Sequence, residues 1–242
     1  MKKIILITGW TGYIGSHWVV AFEEAGYQTV IVDNLSNSNI DTLNWIEKII
    51  WYKLDFYEID LRDKKSLEKV FKKYKFDWVI HFAWMKAVWE SCEKPLEYFD
   101  NNIVWSIYLL ELMDKYNVKN IISSSSATVY DMTSKHAPIL WKGKWELDGL
   151  SEINHTWTTV NPYWTTKFLF ERILIDLWKF SWFRIANLRY FNPIWAHKSG
   201  YIWENPEWNP DNLLPFILKV ANWELDELKV FWNDYDTLDG TW

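Results

Sequence analysis

The chain has 242 residues and a formal net charge of −6, and 20 of its residues are tryptophan whereas only eight are glycine. A net charge this mildly acidic argues against a general nucleic-acid-binding protein. The single cysteine, Cys92, excludes an intramolecular disulfide framework and favours a reducing cytoplasm. The N-terminal apolar run is too short for a signal peptide, and no membrane-spanning segment is predicted.

Short apolar runs rich in β-branched residues alternate with helical patterns. The predicted strands are Ile4–Thr8, Thr29–Asp33, Leu54–Ile59, Trp78–Ala83, Asn120–Ser124 and Arg184–Tyr190. The predicted helices are Tyr13–Ala25, Lys64–Tyr74, Pro95–Tyr116 and Tyr163–Phe180. This alternation predicts an α/β fold with a doubly wound parallel sheet of the Rossmann type. Such sheets bind their ligands beyond the carboxyl ends of the strands.

A glycine turn joins the first predicted strand to the first predicted helix. Gly9 would let the chain turn tightly, Gly12 would let a pyrophosphate approach the backbone, and Gly15 would let helix and strand pack closely. Asp33 ends the second strand, where its carboxylate can accept hydrogen bonds from an adenosine ribose. This pattern predicts a dinucleotide site and favours NAD over NADP, whose extra phosphate an acid would repel.

A second group of polar residues follows a later strand. The serine run of residues 123–126 ends that strand, and Tyr163 and Lys167 share one face of the helix that follows. A nearby ammonium group lowers the pKa of a phenol, so Tyr163 can act as a general base toward a substrate hydroxyl. The five histidines show no spacing typical of metal ligands, and no metal site is predicted.

Together these motifs resemble those of the UDP-glucose 4-epimerase (UDP-galactose 4-epimerase) family, an extended branch of the short-chain dehydrogenases/reductases. The resemblance runs from Lys3 to the last residue and is thin only across residues 132–160. It is carried by residues 12–17, 33–38, 81–83, 94–103, 124–130, 161–163, 188–193, 212–215, 231, 233–235 and 239–241.

The resemblance implies a role for each matching residue. Tyr163 would be the base, Lys167 would tune it and hold the nicotinamide ribose, and Ser126 would orient the sugar hydroxyl. UDP-sugar contacts are implied for Lys86, Ser126, Tyr163, Asn192 and Asn212. NAD contacts are implied for Gly9, Gly12, Tyr13, Ile14, Gly15, Asp33, Asn34, Asn37, Ser38, Asp60, Leu61, Phe82, Ala83, Lys86, Asn101, Tyr163, Lys167 and Tyr190.

The implied reaction inverts C4 of UDP-glucose or UDP-galactose through a 4-keto sugar. Related nucleotide-sugar 4,6-dehydratases carry an Asp-Glu pair where this chain has Ala127 and Thr128, which favours the epimerase. Two alternatives stay open, namely such a dehydratase and a non-catalytic NAD-binding fragment or pseudoenzyme.

The same resemblance predicts how the chain is organised. Residues 1–180 would form the NAD-binding domain, and residues 181–242 would supply the last sheet strand and the start of a substrate-binding lobe. The family continues beyond the last residue here, so the lobe is expected to be incomplete. The complete enzyme would be a cytoplasmic homodimer that binds neither nucleic acid nor membrane.

Eleven tryptophans fall where the resembling family has glycine. An indole at such a position would block close approach of the backbone to a ligand, or would force a bulky residue into dihedral angles typical of glycine. We interpret most of these tryptophans as glycines that a non-standard codon assignment has rendered as tryptophan, rather than as a tryptophan-rich binding surface. They occupy positions 10, 84, 89, 105, 164, 195, 203, 208, 223, 232 and 242.

Overall fold

The computed structural model describes residues 2–10, 12–36, 39–130, 159, 161–203 and 213–229. The chain divides into two compact units, Met1–Val129 with Thr159–Trp203 and Tyr130–Thr158 with Glu204–Trp242. The domain boundary expected at residue 180 stays a prediction. None of the helices within the described ranges is long and apolar enough to cross a membrane.

The first unit is built on a sheet of six parallel strands in the order β3-β2-β1-β4-β5-β6. This arrangement confirms the doubly wound fold, and the strand order reverses beside β1, where ligands of such sheets bind. The strands are β1 (Ile4–Thr8), β2 (Gln28–Asp33), β3 (Asp55–Glu58), β4 (Trp78–His81), β5 (Asn120–Ser126) and β6 (Arg184–Tyr190).

Among the described residues, seven helices flank this sheet, and α8 (Leu213–Ala221) belongs to the second unit. The seven are α1 (Tyr13–Glu24), α2 (Asp41–Ile50), α3 (Lys64–Lys73), α4 (Val88–Glu93), α5 (Pro95–Phe99), α6 (Trp105–Lys115) and α7 (Pro162–Ser181). The sequence did not predict α2 and α4. The single helix predicted over Pro95–Tyr116 is α5 and α6 joined by a π-helical turn, Asp100–Val104.

Alternate residues along the central strands point their side chains into two separate hydrophobic cores, one on each face of the sheet. Leu6 and Val79 face the core that contains α3, α6 and α7, whereas Ile5 and Ile80 face the core that contains α1 and α2. Both faces of the sheet are therefore covered, which explains why the central strands β1 and β4 consist mainly of apolar residues.

Local signals set the start of α7, the helix that carries the tyrosine and the lysine. Asn161 is its N-cap, and the side-chain oxygen of this residue accepts a hydrogen bond from the backbone N–H of Trp164 at 2.9 Å. Pro162 follows as the first helical residue, where its missing N–H costs nothing. These two residues place Tyr163 in the first turn of the helix.

Five helices end near a residue with a positive φ. The residue is Gly26 (+85°) after α1 and Asn117 (+56°) after α6, which are the two residue types that tolerate this conformation best. After α2, α7 and α8 it is Trp51 (+68°), Trp182 (+61°) and Trp223 (+62°). Left-handed backbone costs roughly 1–2 kcal/mol for a residue that carries a Cβ atom.

Candidate functional site

The turn after β1 packs so tightly that two of its positions accept only glycine. Gly9 has a φ of +69°, and a Cβ atom there would lie 2.3 Å from the backbone nitrogen of Ala83. A Cβ atom at Gly15 would lie 2.6 Å from the Cα of Trp10. The first glycine therefore seats the turn against the loop after β4, and the second lets α1 pack against the turn.

Gly12 differs because the space beside it is open. It is the N-cap residue of α1, and a Cβ atom there would meet no heavy atom within 4 Å. Tyr13 and Ile14 begin the helix, whose N-terminal backbone N–H groups and positive dipole end suit an anion. A pyrophosphate could therefore approach the backbone closely at this turn.

The Trp10 side chain does not enter this open space. Its indole is fully buried and packs edge to face against Phe56, with ring centroids 5.7 Å apart. The sequence-based expectation that an indole at position 10 would block the turn is thus wrong, because the side chain is turned into the core. The buried Nε1 of Trp10 has no hydrogen-bond partner, which typically costs about 1–3 kcal/mol.

The acidic residues predicted for the adenosine half lie beyond β2 and β3. Asp33 ends β2, and its Oδ1 accepts a hydrogen bond from the backbone of Leu35 at 2.9 Å. Asn34 donates to Asp60 at 3.0 Å, beside the buried Leu61. Burial alone would raise the pKa of Asp60, but hydrogen bonds from Arg62 and Asn34 outweigh it and lower that pKa to about 2.

The loop after β4 lies beside the glycine turn. Phe82 and Ala83 are half-buried there, and Lys86 is exposed. The buried Asn101 lies in the π-helical turn and donates a hydrogen bond to Asn102 at 2.7 Å.

Asn102 connects this loop to α7 and was not singled out from the sequence. Its side chain bonds both the backbone N–H and the C=O of Met85 at 3.0 Å, and its Nδ2 also donates to Thr166 at 3.0 Å. The residue is fully buried, so its hydrogen bonds hold the loop in place. Only its place next to Asn101 could have drawn attention to it.

Ser126 and Tyr163 lie where β5 ends and α7 begins, and the Ser126 hydroxyl is near enough to the phenol to influence its pKa. Thr128 Oγ1 donates to Ser126 Oγ at 2.9 Å, which leaves the serine proton available to another acceptor. Burial raises the pKa of Tyr163, and the nearby Ser126 hydroxyl opposes that rise.

Lys167 is engaged elsewhere than at the phenol of Tyr163. Its Nζ donates a hydrogen bond to the backbone oxygen of Ser124 at 2.6 Å and lies 3.8 Å from the centre of the Trp84 ring. The centre of the Tyr163 ring is 5.9 Å away. The expectation that this ammonium group lowers the pKa of Tyr163 is therefore wrong for this arrangement.

Glu171 lies one helical turn beyond Lys167 and anchors α7 to two strands. Its carboxylate accepts hydrogen bonds from Arg189 of β6 at 3.0 and 2.7 Å and from the Ser125 hydroxyl of β5. Burial lowers the pKa of Lys167 well below its usual range, and the charge of Glu171 opposes this. The spacing of Tyr163, Lys167 and Glu171 at four-residue intervals is a signal that the sequence analysis did not use.

A buried histidine supports the neighbouring strand ends. His81 is fully buried; its Nδ1 is 2.7 Å from Thr8 Oγ1 and its Nε2 is 2.8 Å from Ser106 Oγ. Ser106 donates to the backbone oxygen of Asn102, so Nε2 of the histidine is the donor and Nδ1 is the acceptor. Burial, helped by the charge of Lys167, lowers the pKa of His81 to about 3.

The remaining predicted residues lie at or beyond the end of β6. Tyr190 accepts a hydrogen bond from Trp18 Nε1 of α1 at 2.9 Å, and Asn192 is exposed. Asn37, Ser38 and Asn212 lie outside the described residues. Within the described ranges, no cluster of histidine, cysteine and carboxylate side chains could hold a metal ion.

The polar groups above therefore gather along one edge of the sheet. Asp33, Gly9, Ser126 and Tyr190 lie at or next to the carboxyl ends of β2, β1, β5 and β6, and the Phe82 loop follows β4. An extended ligand that crosses the strand-order reversal beside β1 would contact most of them.

Known proteins are similar to this chain in sequence and in fold. The model of the NAD dependent epimerase/dehydratase family matches residues 5–237. The UDP-glucose 4-epimerase of Yersinia enterocolitica is 48% identical over 241 residues, which cover 98% of this chain and 67% of the relative. UDP-glucose 4-epimerase 2 of Arabidopsis thaliana is 46% identical over 245 residues, which cover 100% of this chain and 66% of the relative.

Solved structures agree with these relatives. The UDP-glucose 4-epimerase of Bifidobacterium longum, crystallised with NAD+ and UDP, gives a TM-score of 0.86 at 42% identity over 99% of this chain and 68% of that chain. The enzyme of Stenotrophomonas maltophila, with bound NAD and formylated UDP-arabinopyranose, gives 0.88 at 40% identity over the same shares. This chain thus spans about two thirds of the length of the proteins it matches, and it belongs to the NAD dependent epimerase/dehydratase family.

Proposed function

We propose that this chain carries the NAD-binding and catalytic part of a UDP-glucose 4-epimerase, which interconverts UDP-glucose and UDP-galactose. The observation that carries the proposal is the position of Ser126, at the end of β5, beside Tyr163 in the first turn of α7, on the sheet edge that also holds the glycine turn. The similarity to UDP-glucose 4-epimerases supports the choice of substrate.

The residues of this chain could hold NAD along its whole length. The open space at Gly12 would admit the pyrophosphate, and Asp33 with Asn34 would hold the adenosine ribose. Asp60 and Leu61 would lie near the adenine. Phe82, Ala83, Lys86 and Asn101 would line the rest of the cofactor, with Tyr190 beside the nicotinamide.

The side chains of the protein would carry out one proton transfer, between the sugar's 4-hydroxyl group and Tyr163. Tyr163, as the phenolate, would take the proton from the sugar's 4-hydroxyl group while Ser126 holds that oxygen. NAD, when bound, supplies the oxidising power by accepting the hydrogen of C4 as hydride and returning it. After the sugar has turned over, Tyr163 would give the proton back, so the reaction has no net redox change. Lys86, Asn192 and Asn212 would hold the UDP-sugar.

The matching proteins extend beyond this chain, and their additional length leaves room for further substrate contacts. The absence of an Asp-Glu pair beside Ser126 favours epimerisation over dehydration, since Ala127 and Thr128 form a short 3₁₀ turn there and supply no carboxylate. A 4,6-dehydratase is the second candidate.

The test is to incubate the purified chain with NAD and UDP-galactose and to follow UDP-glucose by NMR. Formation of UDP-glucose, and its loss in a Tyr163→Phe variant, would support the epimerase. Accumulation of a 4-keto-6-deoxy sugar nucleotide would identify a dehydratase instead. Binding of NAD without conversion of either sugar nucleotide would favour a non-catalytic NAD-binding protein.

We also propose that the complete protein is a cytoplasmic homodimer. Leu96 of α5, Val104 of the π-helical turn and Leu169 of α7 are apolar and exposed, and these elements lie next to one another. A second subunit that covers these side chains would remove apolar surface from water. Sedimentation analysis of the chain and of a Leu96→Glu variant would test the dimer, because a charge at this position should produce monomers.

A further inference from the structure

Trp51, Trp182 and Trp223 lie, like Gly26 after α1, within two residues of the last residue of a helix. All three have the left-handed conformation that glycine adopts there without steric strain. Glycine is the usual residue at such a helix end because it lacks the Cβ atom that meets the following carbonyl oxygen. Tryptophan has this Cβ atom, so the left-handed conformation is strained at the ends of all three helices.

Packing does not compensate for this strain. The three side chains are 89%, 89% and 94% exposed, so their indoles bury almost nothing. A buried aromatic ring can hold a strained backbone in place through its contacts, but an indole in water cannot. The left-handed conformation at these positions therefore comes from the chain around them, and tryptophan contributes nothing to it.

The indole nitrogens of two other tryptophans, both buried, point to the same conclusion from an independent observation. Trp10 and Trp84 each bury an indole N–H that has no hydrogen-bond partner, whereas Trp18 donates its N–H to Tyr190. Trp84 also covers the ammonium group of Lys167, which the proposed reaction needs. At both positions the indole brings a buried N–H group that no acceptor satisfies.

We infer that the chain made in its own cell carries glycine at positions 51, 182 and 223, translated from a codon that the cell reads as glycine and that is rendered as tryptophan in the printed sequence. The same assignment covers positions 10 and 84. Backbone conformation thereby adds positions 51 and 182 to the eleven that the family pattern indicates. The inference does not depend on the proposed function, because it rests on φ angles and on buried N–H groups.

Peptide mass spectrometry of the protein isolated from its source cells tests the assignment directly. Peptides that span residues 51, 182 and 223 should each be lighter than the printed sequence requires, by the mass difference between a tryptophan and a glycine residue. Fragment ions should place glycine at these three positions. Peptides that carry tryptophan there would overturn the inference, whether or not the protein interconverts UDP-sugars.

A matched pair of variants on α7 tests the conformational argument separately. Trp178 and Trp182 are four residues apart and both exposed, but Trp178 lies inside the helix and Trp182 follows its last residue with a φ of +61°. Trp182→Gly should raise the denaturant midpoint of unfolding, because glycine relieves the strain. Trp178→Gly should lower it, because glycine weakens a helix interior. A lower midpoint for Trp182→Gly would overturn the argument.

Discussion

The two halves of the candidate site respond differently to a tryptophan in place of a small residue. At the glycine turn, Trp10 turns its indole into the core and leaves the space beside Gly12 open. In the loop after β4, Trp84 lies over Lys167 and holds the ammonium group against Ser124. The comparison shows that a bulky side chain obstructs the site where it packs against a functional group, as Trp84 does, and not where the core accommodates it, as with Trp10.

Removal of the Tyr163 hydroxyl should have the largest effect, and the effect should be on the rate of the reaction. Tyr163→Phe eliminates the proposed base, and loss of general base catalysis typically lowers a rate by about 10²–10⁴-fold. UDP-galactose conversion, measured against the parent chain, checks this. NAD binding should be almost unchanged in the same variant, and full activity would rule out Tyr163 as the base.

Disruption of the buried pair behind Lys167 should mainly affect stability. Glu171→Gln removes the carboxylate charge that Arg189 contacts at 2.7 Å in a largely buried pair, which should lower the free energy of unfolding by about 3 kcal/mol. Urea denaturation measures this loss. Asp176→Asn, in the exposed pair with Arg172, is the control and should cost under about 1 kcal/mol. Equal losses for the two variants would contradict a special role of the buried pair.

The glycine turn offers a pair of variants that separates packing from ligand approach. Gly9→Ala places a Cβ atom against the backbone of Ala83 in a left-handed residue, and we expect a loss of roughly 2–3 kcal/mol in unfolding free energy. Gly12→Ala meets no neighbour and should change stability by under about 0.5 kcal/mol. It should nevertheless weaken NAD binding, which calorimetry measures. Unchanged NAD affinity would show that the pyrophosphate does not bind at this turn.

Removal of the indole that covers Lys167 should increase the affinity of the site for NAD. Trp84→Gly removes the indole that packs on the ammonium group, so that Lys167 can turn toward the nicotinamide ribose and Tyr163. A hydrogen bond from a charged group contributes about 1.5–3 kcal/mol, so NAD affinity should rise roughly tenfold or more. Trp89→Gly, on an exposed side chain of α4, serves as the control. Unchanged affinity in Trp84→Gly would mean that the indole does not obstruct the site.

The smallest expected effect is a pH dependence of stability from His81. Its folded-state pKa of about 3 lies below the ordinary value of 6.5, so below pH 6.5 the unfolded chain takes up a proton that the folded chain refuses. Unfolding free energy should therefore fall as the pH falls, by about 1 kcal/mol between pH 7.5 and 5.5. His81→Gln should flatten this slope. A slope that survives in His81→Gln would assign it to other groups.

Several elements could be predicted from the sequence because their signals are local. The bounds of β1 and β6 match the predicted strands, and the glycine turn follows from three residues in one short segment. Helix α2 was missed although Leu43, Ile46 and Ile50 form an apolar stripe, because Ile40 stands at its N-cap and gives no side-chain capping signal. The π-helical turn at Asn101 lies inside a periodic helical pattern and has no sequence signal of its own.

The sequence by itself determined the alternation of strands and helices, the open turn at Gly12 and the pairing of Tyr163 with Lys167 on one helix face. These features depend on residues that are near one another in the chain, and a residue's type is enough to specify them. Tertiary structure alone decided that the Trp10 indole leaves the space beside Gly12 open, that Trp84 covers Lys167, and that Trp51 and Trp182 have left-handed backbone. Each of those outcomes depends on which segments pack together or on where a helix ends, and that is set by contacts between residues far apart in the sequence.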